Sequence, residues 1–289
     1  MRKQGDVLHV GIRGRGVGAR MHYPVWASIS GVSPKFVPRS RGSNSPIAWD
    51  VWIIAVTPQA QMHEFELIPV EARFVLIEKP CGASLAEAVR IAELSVGRNV
   101  GVNFQLRFED TVFAAKQEII FRKPKQIHLK YKSNSHSEIK RSDRFSPSVV
   151  VLPHLIDVLE WSGVDCAGAD LTLYWLGEWK YIIVGSGISP WGTVDIAIDV
   201  DQENEREVFV LSLDNVVAFD VLKPYRGGGI NLLRSFGDGP WRQGYRRLCE
   251  NVYERGVNEI GRERLATPNS AVLVWKTIEK LYRVPTRIV

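Results

Sequence analysis

Up to Phe104, short apolar runs alternate with stretches of helical spacing. Val7 to Ile12 reads as a buried strand, followed at once by a glycine cluster and a helix-compatible stretch from Arg20 to Ile29. Lys35 to Val37, bracketed by Pro34 and Pro38, is a short second strand, and Val51 to Val56 a third that is wholly apolar. Gln59 to Ile68 reads as a helix stopped by Pro69, and Arg73 to Ile77 as a strand. Ser84 to Val96 reads as a helix whose Ser84 and Glu87 have the spacing of a capping box. Val100 to Phe104 is a further strand. Apolar strands alternating with helices predict a parallel sheet covered on both faces.

The pattern changes near Arg107. Phe108 to Ile120 and Val149 to Trp161 read as helices, with Gln126 to Tyr131 a strand between them. From Ala169 to Leu222 strands follow one another with polar alternation, which predicts a largely antiparallel sheet. Helices over Trp241 to Arg255 and Ser270 to Tyr282 close the chain. The fold class is therefore α/β, with a Rossmann-like parallel-sheet domain over 1–107 and an α+β domain over 108–289.

Composition narrows the class. With 45% hydrophobic and 24% charged residues the chain has the balance of a soluble globular protein, not of a disordered tail or a fibre. The net charge of +5 is mild, and its basic residues form no aromatic-interleaved stripe, so a nucleic-acid partner is not expected. No apolar run reaches the ~18 residues of a membrane span. The three cysteines form no Cys-x-x-Cys pair and the six histidines no paired ligand spacing, so no metal is expected. Together with the absence of a signal-peptide core this reads as a cytoplasmic protein.

The string Gly14-Arg15-Gly16-Val17-Gly18-Ala19 follows a strand and opens a helix, the context a dinucleotide-binding turn needs. Gly14 would allow the tight turn, Gly16 the approach of a pyrophosphate, and Ala19 close packing of helix on strand. The pyrophosphate would sit on free N–H groups at the helix N-terminus. The acidic residue expected after the second strand is missing; the chain there reads Phe36-Val37-Pro38-Arg39-Ser40-Arg41. Arg39, Ser40 and Arg41 suit a 2′-phosphate, which points to NADP(H) in preference to NAD(H). Arg13 and Arg15 add positive charge near the same place. A glycine turn without ligand and a solvated basic loop remain the alternatives.

Four further pieces accompany this turn: Ile54-Ala55-Val56-Thr57-Pro58, Glu78-Lys79-Pro80, Asn103 to Phe108 (NFQLRF), and His154-Leu155-Ile156-Asp157. Together, from Val7 to about Tyr282, they resemble the glucose–fructose oxidoreductase / inositol dehydrogenase (Gfo/Idh/MocA) family. The resemblance implies a Rossmann domain, then an α+β domain with an open, mostly antiparallel sheet through which homodimers or homotetramers form. It implies oxidation or reduction of carbohydrate-like small molecules with NAD or NADP. It places Thr57, Pro58, Glu78 and Lys79 at the cofactor, with Lys79–Pro80 commonly cis, and Lys79, His154 and Asp157 at the chemistry. Independently of the name, hydride transfer at a carbinol or carbonyl needs a group that takes or gives a proton, and lysine and histidine can do so.

Two departures bear on function. Val150 stands where the family's aspartate is expected, and Leu152 where its glycine is. Only Ser40 to Asp50 lie before the Val51 strand, where a usual Rossmann half places a helix, a strand and another helix. Eleven residues extend at most ~36–40 Å at ~3.3–3.6 Å each, enough to return along one strand without a helix. A trimmed sheet and a shallow adenosine pocket follow. The reading is an NAD(P)-dependent oxidoreductase acting on a ketone or alcohol of a sugar-like or nucleotide-sugar molecule. The alternatives are an imine or double-bond reductase and a binding protein that has lost catalysis. Trp241 to Arg247 reads as a solvated helix face, or as arginines with Tyr245 facing an anionic substrate.

Overall fold

The computed structural model describes residues 7–38, 49–133, 151–204, 208–223, 240–254, 263–283 and 287–288. The chain forms two compact units, Met1–Phe108 with Trp241–Val272, and Glu109–Pro240 with Leu273–Val289.

In the first unit, β1 (Leu8–Arg13), β2 (Val32–Val37), β3 (Val51–Ile54), β4 (Phe74–Glu78) and β5 (Val100–Asn103) form a five-stranded sheet of order β2-β1-β3-β4-β5. Every pairing is parallel. The helices α1 (Val17–Ala27), α2 (Pro58–Glu66) and α3 (Leu85–Leu94) connect its strands. Alternation divides the side chains between two faces. Leu8, Val10 and Ile12 of β1, Val51 and Ile53 of β3, and Phe74 and Leu76 of β4 share a buried cluster with Val25 and Trp26 of α1. Trp52, Ile54, Val75 and Ile77, at the intervening positions, are also buried, so both faces are covered.

Among the described residues the sheet ends at β2, which pairs with β1 alone. Most of the Ser40–Asp50 segment, on which the expected trimmed edge turns, lies outside the described residues. The capping expectation at Ser84 holds with a shift: Ser84 Oγ accepts from Glu87 N at 3.2 Å, but Glu87 Oε2 accepts from Ala83 N, at 2.8 Å. The helix is thus fastened one residue further back than a standard capping box.

The division expected at residues 107 and 108 needs correction at the far end of the chain. Tyr245, Leu248, Cys249 and Val252 of α6 (Pro240–Glu254) join the β1–β3–β4 cluster of the first unit. Their spacing puts them on one helix stripe, and burying Leu248 and Val252 is worth roughly 1.5–3 kcal/mol each. Tyr245 does not face outward: it is buried, and its hydroxyl accepts from Trp26 Nε1 at 2.6 Å.

In the second unit, β6 (Gln126–Lys132), β7 (Asp165–Trp175), β8 (Lys180–Ser189), β9 (Gly192–Asp201), β10 (Val208–Leu213), β11 (Val217–Asp220) and β12 (Arg287–Ile288) form a sheet of order β11-β10-β6-β9-β8-β7-β12. It is mostly antiparallel; β6–β9 and β7–β12 are parallel. Helices α4 (Asp110–Arg122) and α5 (Leu152–Trp161) pack on each other, α5 also on β7. The amphipathic α7 (Pro268–Arg283) contributes Lys280, which donates to Ala169 O. Ile127, Leu129 and Tyr131 of β6 are buried while Lys130 and Lys132 are only half-buried, as strand alternation requires.

Candidate functional site

The first unit gathers most of the sequence-predicted positions at the carboxyl ends of its strands. The order β2-β1-β3 means that the chain leaves β1 to one side and returns to the other. Such a switch point, at the strands' carboxyl ends, is where open α/β sheets bind ligands. The glycine turn follows β1, Ala55 to Pro58 follow β3, Glu78 and Lys79 end β4, and Asn103 ends β5.

The glycines divide by role. Gly14 has φ +124°, and a Cβ there would lie 2.1 Å from Ala55 O, so only glycine fits. Gly16 is the N-cap of α1, at φ −76° and ψ −168°, a conformation open to any residue. A Cβ on Gly16 would meet nothing within 4 Å. Among the described residues no contact therefore requires glycine there; what it leaves is open space before a helix N-terminus. No side chain caps that terminus, so the first N–H groups of α1, which have no intrahelical acceptor, are free for an anion. At Gly18 a Cβ would come 3.9 Å from both Ala55 Cβ and Glu78 Cγ, so the turn and the β4 end adjoin. Ala19 is fully buried. Thr57, the N-cap of α2, makes no side-chain capping bond, and Pro58 takes the first helical position, where its missing N–H is not needed.

Around Lys79 the chain builds a bracket. The Lys79–Pro80 peptide is cis. His22 Nε2 lies 2.7 Å from Glu78 Oε1, and Asn103 Nδ2 donates to the same oxygen at 2.8 Å. Gln61, wholly buried, donates to Glu78 O at 2.8 Å and accepts from Gly82 N at 2.6 Å, spanning the turn. Burial alone would raise the Glu78 pKa, but the contact and charge of His22, the charge of Lys79 and the Asn103 bond hold it below the ordinary carboxylate value. Burial lowers the Lys79 pKa and the Glu78 charge opposes that shift. Burial also pushes the neighbouring Cys81 thiol up to about 12, which makes it an inert packing group.

The sequence singles out neither His22 nor Gln61, and it marks Asn103 only as the start of the NFQLRF piece, with no role. His22 falls one helical turn after Gly18 and Gln61 one turn after Thr57. Asn103 is the parallel-register partner of Glu78. These spacings are the signal that could have found them.

One expected contributor is withdrawn. Arg13 is buried and its Nη1 bonds Glu64 Oε2 at 3.0 Å, with the guanidinium 5.2 Å from the Trp52 ring centroid. Its charge is neutralised inside the unit and does not serve a phosphate. Arg15 is exposed. Arg39, Ser40, Arg41 and Val150 lie outside the described residues.

His154 and Asp157 belong to the second unit, both buried on α5 and one turn apart. On the same helix, Glu160 Oε1 accepts from Cys166 N and Ala167 N at 2.9 and 3.0 Å. Burial nevertheless pushes its pKa up to about 7, with the charges of Asp165 and Asp157 in the same direction. Among the described residues no cluster of three or more His, Cys, Asp or Glu could hold a metal, and no helix is long and apolar enough to cross a membrane.

No protein-family model matches the sequence, and no curated protein sequence matches it. Solved structures do. Apo scyllo-inositol dehydrogenase from Lactobacillus casei is similar with a TM-score of 0.75 at 12% identity, covering 97% of this chain and 96% of that one. The myo-inositol dehydrogenase of the same organism, in complex with NAD(H) and myo-inositol, gives 0.71 at 13%, covering 96% and 95%. The WlbA dehydrogenase from Thermus thermophilus, in complex with NAD and UDP-GlcNAcA, gives 0.68 at 13%, covering 98% and 97%. These neighbours are dehydrogenases of the Gfo/Idh/MocA family. At such identities the likeness establishes a shared fold over nearly the whole chain.

Proposed function

We propose that this chain is a nicotinamide-dinucleotide-dependent oxidoreductase of the Gfo/Idh/MocA family, preferring NADP(H), that acts on a ketone or alcohol of a sugar-like or nucleotide-linked small molecule. The observation that carries the reading is the glycine turn. Gly14 is obligatory for its geometry, whereas a Cβ on Gly16 would meet none of the described residues, which leaves room before the N-terminus of α1. The relatives of known structure that bind NAD(H) with a cyclitol or nucleotide sugar support the same reading.

The residues fit the cofactor. The N–H groups of Val17, Gly18 and Ala19 would hold the pyrophosphate; Thr57, Pro58 and Glu78 would serve the nicotinamide half; Arg39, Ser40 and Arg41 would take the 2′-phosphate. When bound, the dinucleotide supplies or accepts the hydride. Lys79 gives a proton to the substrate oxygen in reduction and takes it in oxidation. His154, in the second unit, is assigned as the assisting proton carrier and Asp157 as the residue that orients it. The second sheet serves as the interface of a homodimer or homotetramer, which sedimentation velocity tests.

Titration with NADPH and NADH, read by quenching of tryptophan emission, tests the cofactor assignment. Saturable binding with NADPH tighter than NADH is expected, and Arg39→Asp reverses the order. No binding of either removes the reading. A screen of keto-sugars and sugar nucleotides then tests catalysis, and turnover that survives Lys79→Ala contradicts the role of Lys79. A second reading, a binding protein without catalysis, draws on Val150 at the family's aspartate position. Turnover lost in Lys79→Ala rejects it.

A further inference from the structure

A half-buried carboxylate beside a lysine needs an explanation of its own. Glu78 could leave its oxygens in solvent at a strand end, yet Oε1 is approached from two different elements. His22 Nε2 reaches it from α1 at 2.7 Å and Asn103 Nδ2 from β5 at 2.8 Å. His22 and Asn103 are themselves almost wholly buried. The backbone is fixed as tightly. Gln61 from α2 closes both ends of the Glu78–Gly82 turn through one side-chain amide. Behind His22 stands Tyr245 of α6, its ring edge-on with centroids 4.4 Å apart and its own hydroxyl already engaged by Trp26. Three elements thus converge on the residue that precedes Lys79.

We propose that His22, Asn103 and Gln61 are positioning residues that hold the Glu78 carboxylate beside Lys79, so that Lys79 meets a substrate oxygen as a charged proton donor. The inference rests on the reading of Lys79 as the group that faces the substrate. In reduction the carbonyl carbon gains a hydride from the dinucleotide and the carbonyl oxygen gains the proton from Lys79 Nζ. The amine, left neutral beside the Glu78 anion, then regains a proton from solvent. An ammonium in a half-buried site would otherwise lose its proton readily; a fixed anion next to it opposes that loss. Among the described residues, His22 from α1, the Asn103 amide from β5 and the Tyr245 phenol from α6 act on the Glu78 carboxylate.

Competitive acylation with acetic anhydride, read peptide by peptide in a mass spectrometer across pH, reports the proton affinity of each lysine in the folded protein. Exposed Lys123 and Lys125 serve as internal references. Glu78→Gln keeps the shape and removes the charge. It should move the Lys79 profile about one pH unit acidward, a roughly tenfold faster relative acylation near neutral pH. His22→Gln and Asn103→Ser, which let the carboxylate turn away, should move it the same way by about threefold, and Glu78→Asp should restore part of the wild-type profile. An alkaline shift means that the turn has merely loosened and exposed Lys79, and overturns the proposal, as does an unchanged profile. Should Glu78→Gln fail to fold, the His22 and Asn103 variants decide. NADPH titration of the wild-type chain separates the two claims. An acidward shift without NADPH binding upholds the bracket and removes the oxidoreductase reading, whereas binding without a shift does the reverse.

Discussion

Replacing Gly14 and Gly16 one at a time separates what the fold needs from what a ligand needs. Alanine at position 14 must adopt φ +124°, and its Cβ would stand 2.1 Å from Ala55 O. The backbone strain alone is worth about 1–3 kcal/mol. The overlap with a carbonyl cannot be relieved by a side-chain rotation, so β1 and β3 must part at Ala55, where Ala55 N bonds Arg13 O at 2.8 Å. A total loss of about 3–5 kcal/mol is expected, at the exceptional end for one substitution. Alanine at position 16 meets nothing and keeps its backbone. As an N-cap change it costs roughly 0.5–1 kcal/mol. Its methyl occupies the space before the α1 amides, and a loss of about 1.4–3 kcal/mol in dinucleotide affinity, ten- to more than a hundredfold in Kd, follows. Thermal unfolding by circular dichroism and NADPH titration read the two quantities. Gly16→Ala that folds normally and binds NADPH within twofold of wild type refutes the reasoning, and so does Gly14→Ala with wild-type stability.

Other outcomes follow from the same contacts. Glu64→Ala strands the buried Arg13 guanidinium and should lose about 3–5 kcal/mol in urea unfolding, whereas the double variant Arg13→Met, Glu64→Leu should recover most of that loss. Tyr245→Phe removes the acceptor of the buried Trp26 N–H and should lower stability by about 1–3 kcal/mol. Glu160 keeps its proton up to about pH 7 in the folded chain, against an ordinary value of 4.5. The native state then binds more protons than the unfolded one between those values, so this group's contribution falls as pH rises through that window. Glu160→Gln, which retains an acceptor for Cys166 N and Ala167 N, should match wild type near pH 4. At pH 8 it should be roughly 1–2 kcal/mol more stable, a figure reduced for the partial exposure of the group. Equal melting curves at both pH values would contradict this.

The strand–helix alternation of the first unit and the antiparallel run of the second were legible because each rests on local periodicity. The glycine turn was legible as a motif, but the opposite reasons for Gly14 and Gly16 were not, since they depend on Ala55, forty residues away. Arg13 illustrates the same limit. In sequence it is one more positive charge beside the turn; in the fold it points into the sheet face opposite α1 and finds Glu64. The α6 stripe of Tyr245, Leu248, Cys249 and Val252 announces an apolar face without naming its partner, the first-unit cluster of β1, β3 and β4. His22 and Asn103 matter only through their common contact with Glu78, a convergence of three elements that no single window of sequence contains.

The central claim is that the N-terminus of α1 holds a dinucleotide. A ¹H–¹⁵N correlation spectrum of the uniformly labelled chain, recorded with and without NADPH, addresses it amide by amide. The account predicts the largest shifts at Val17, Gly18 and Ala19, saturating with a single affinity and absent from Gly16→Ala. An unchanged spectrum, or shifts that spare these three amides, would contradict it.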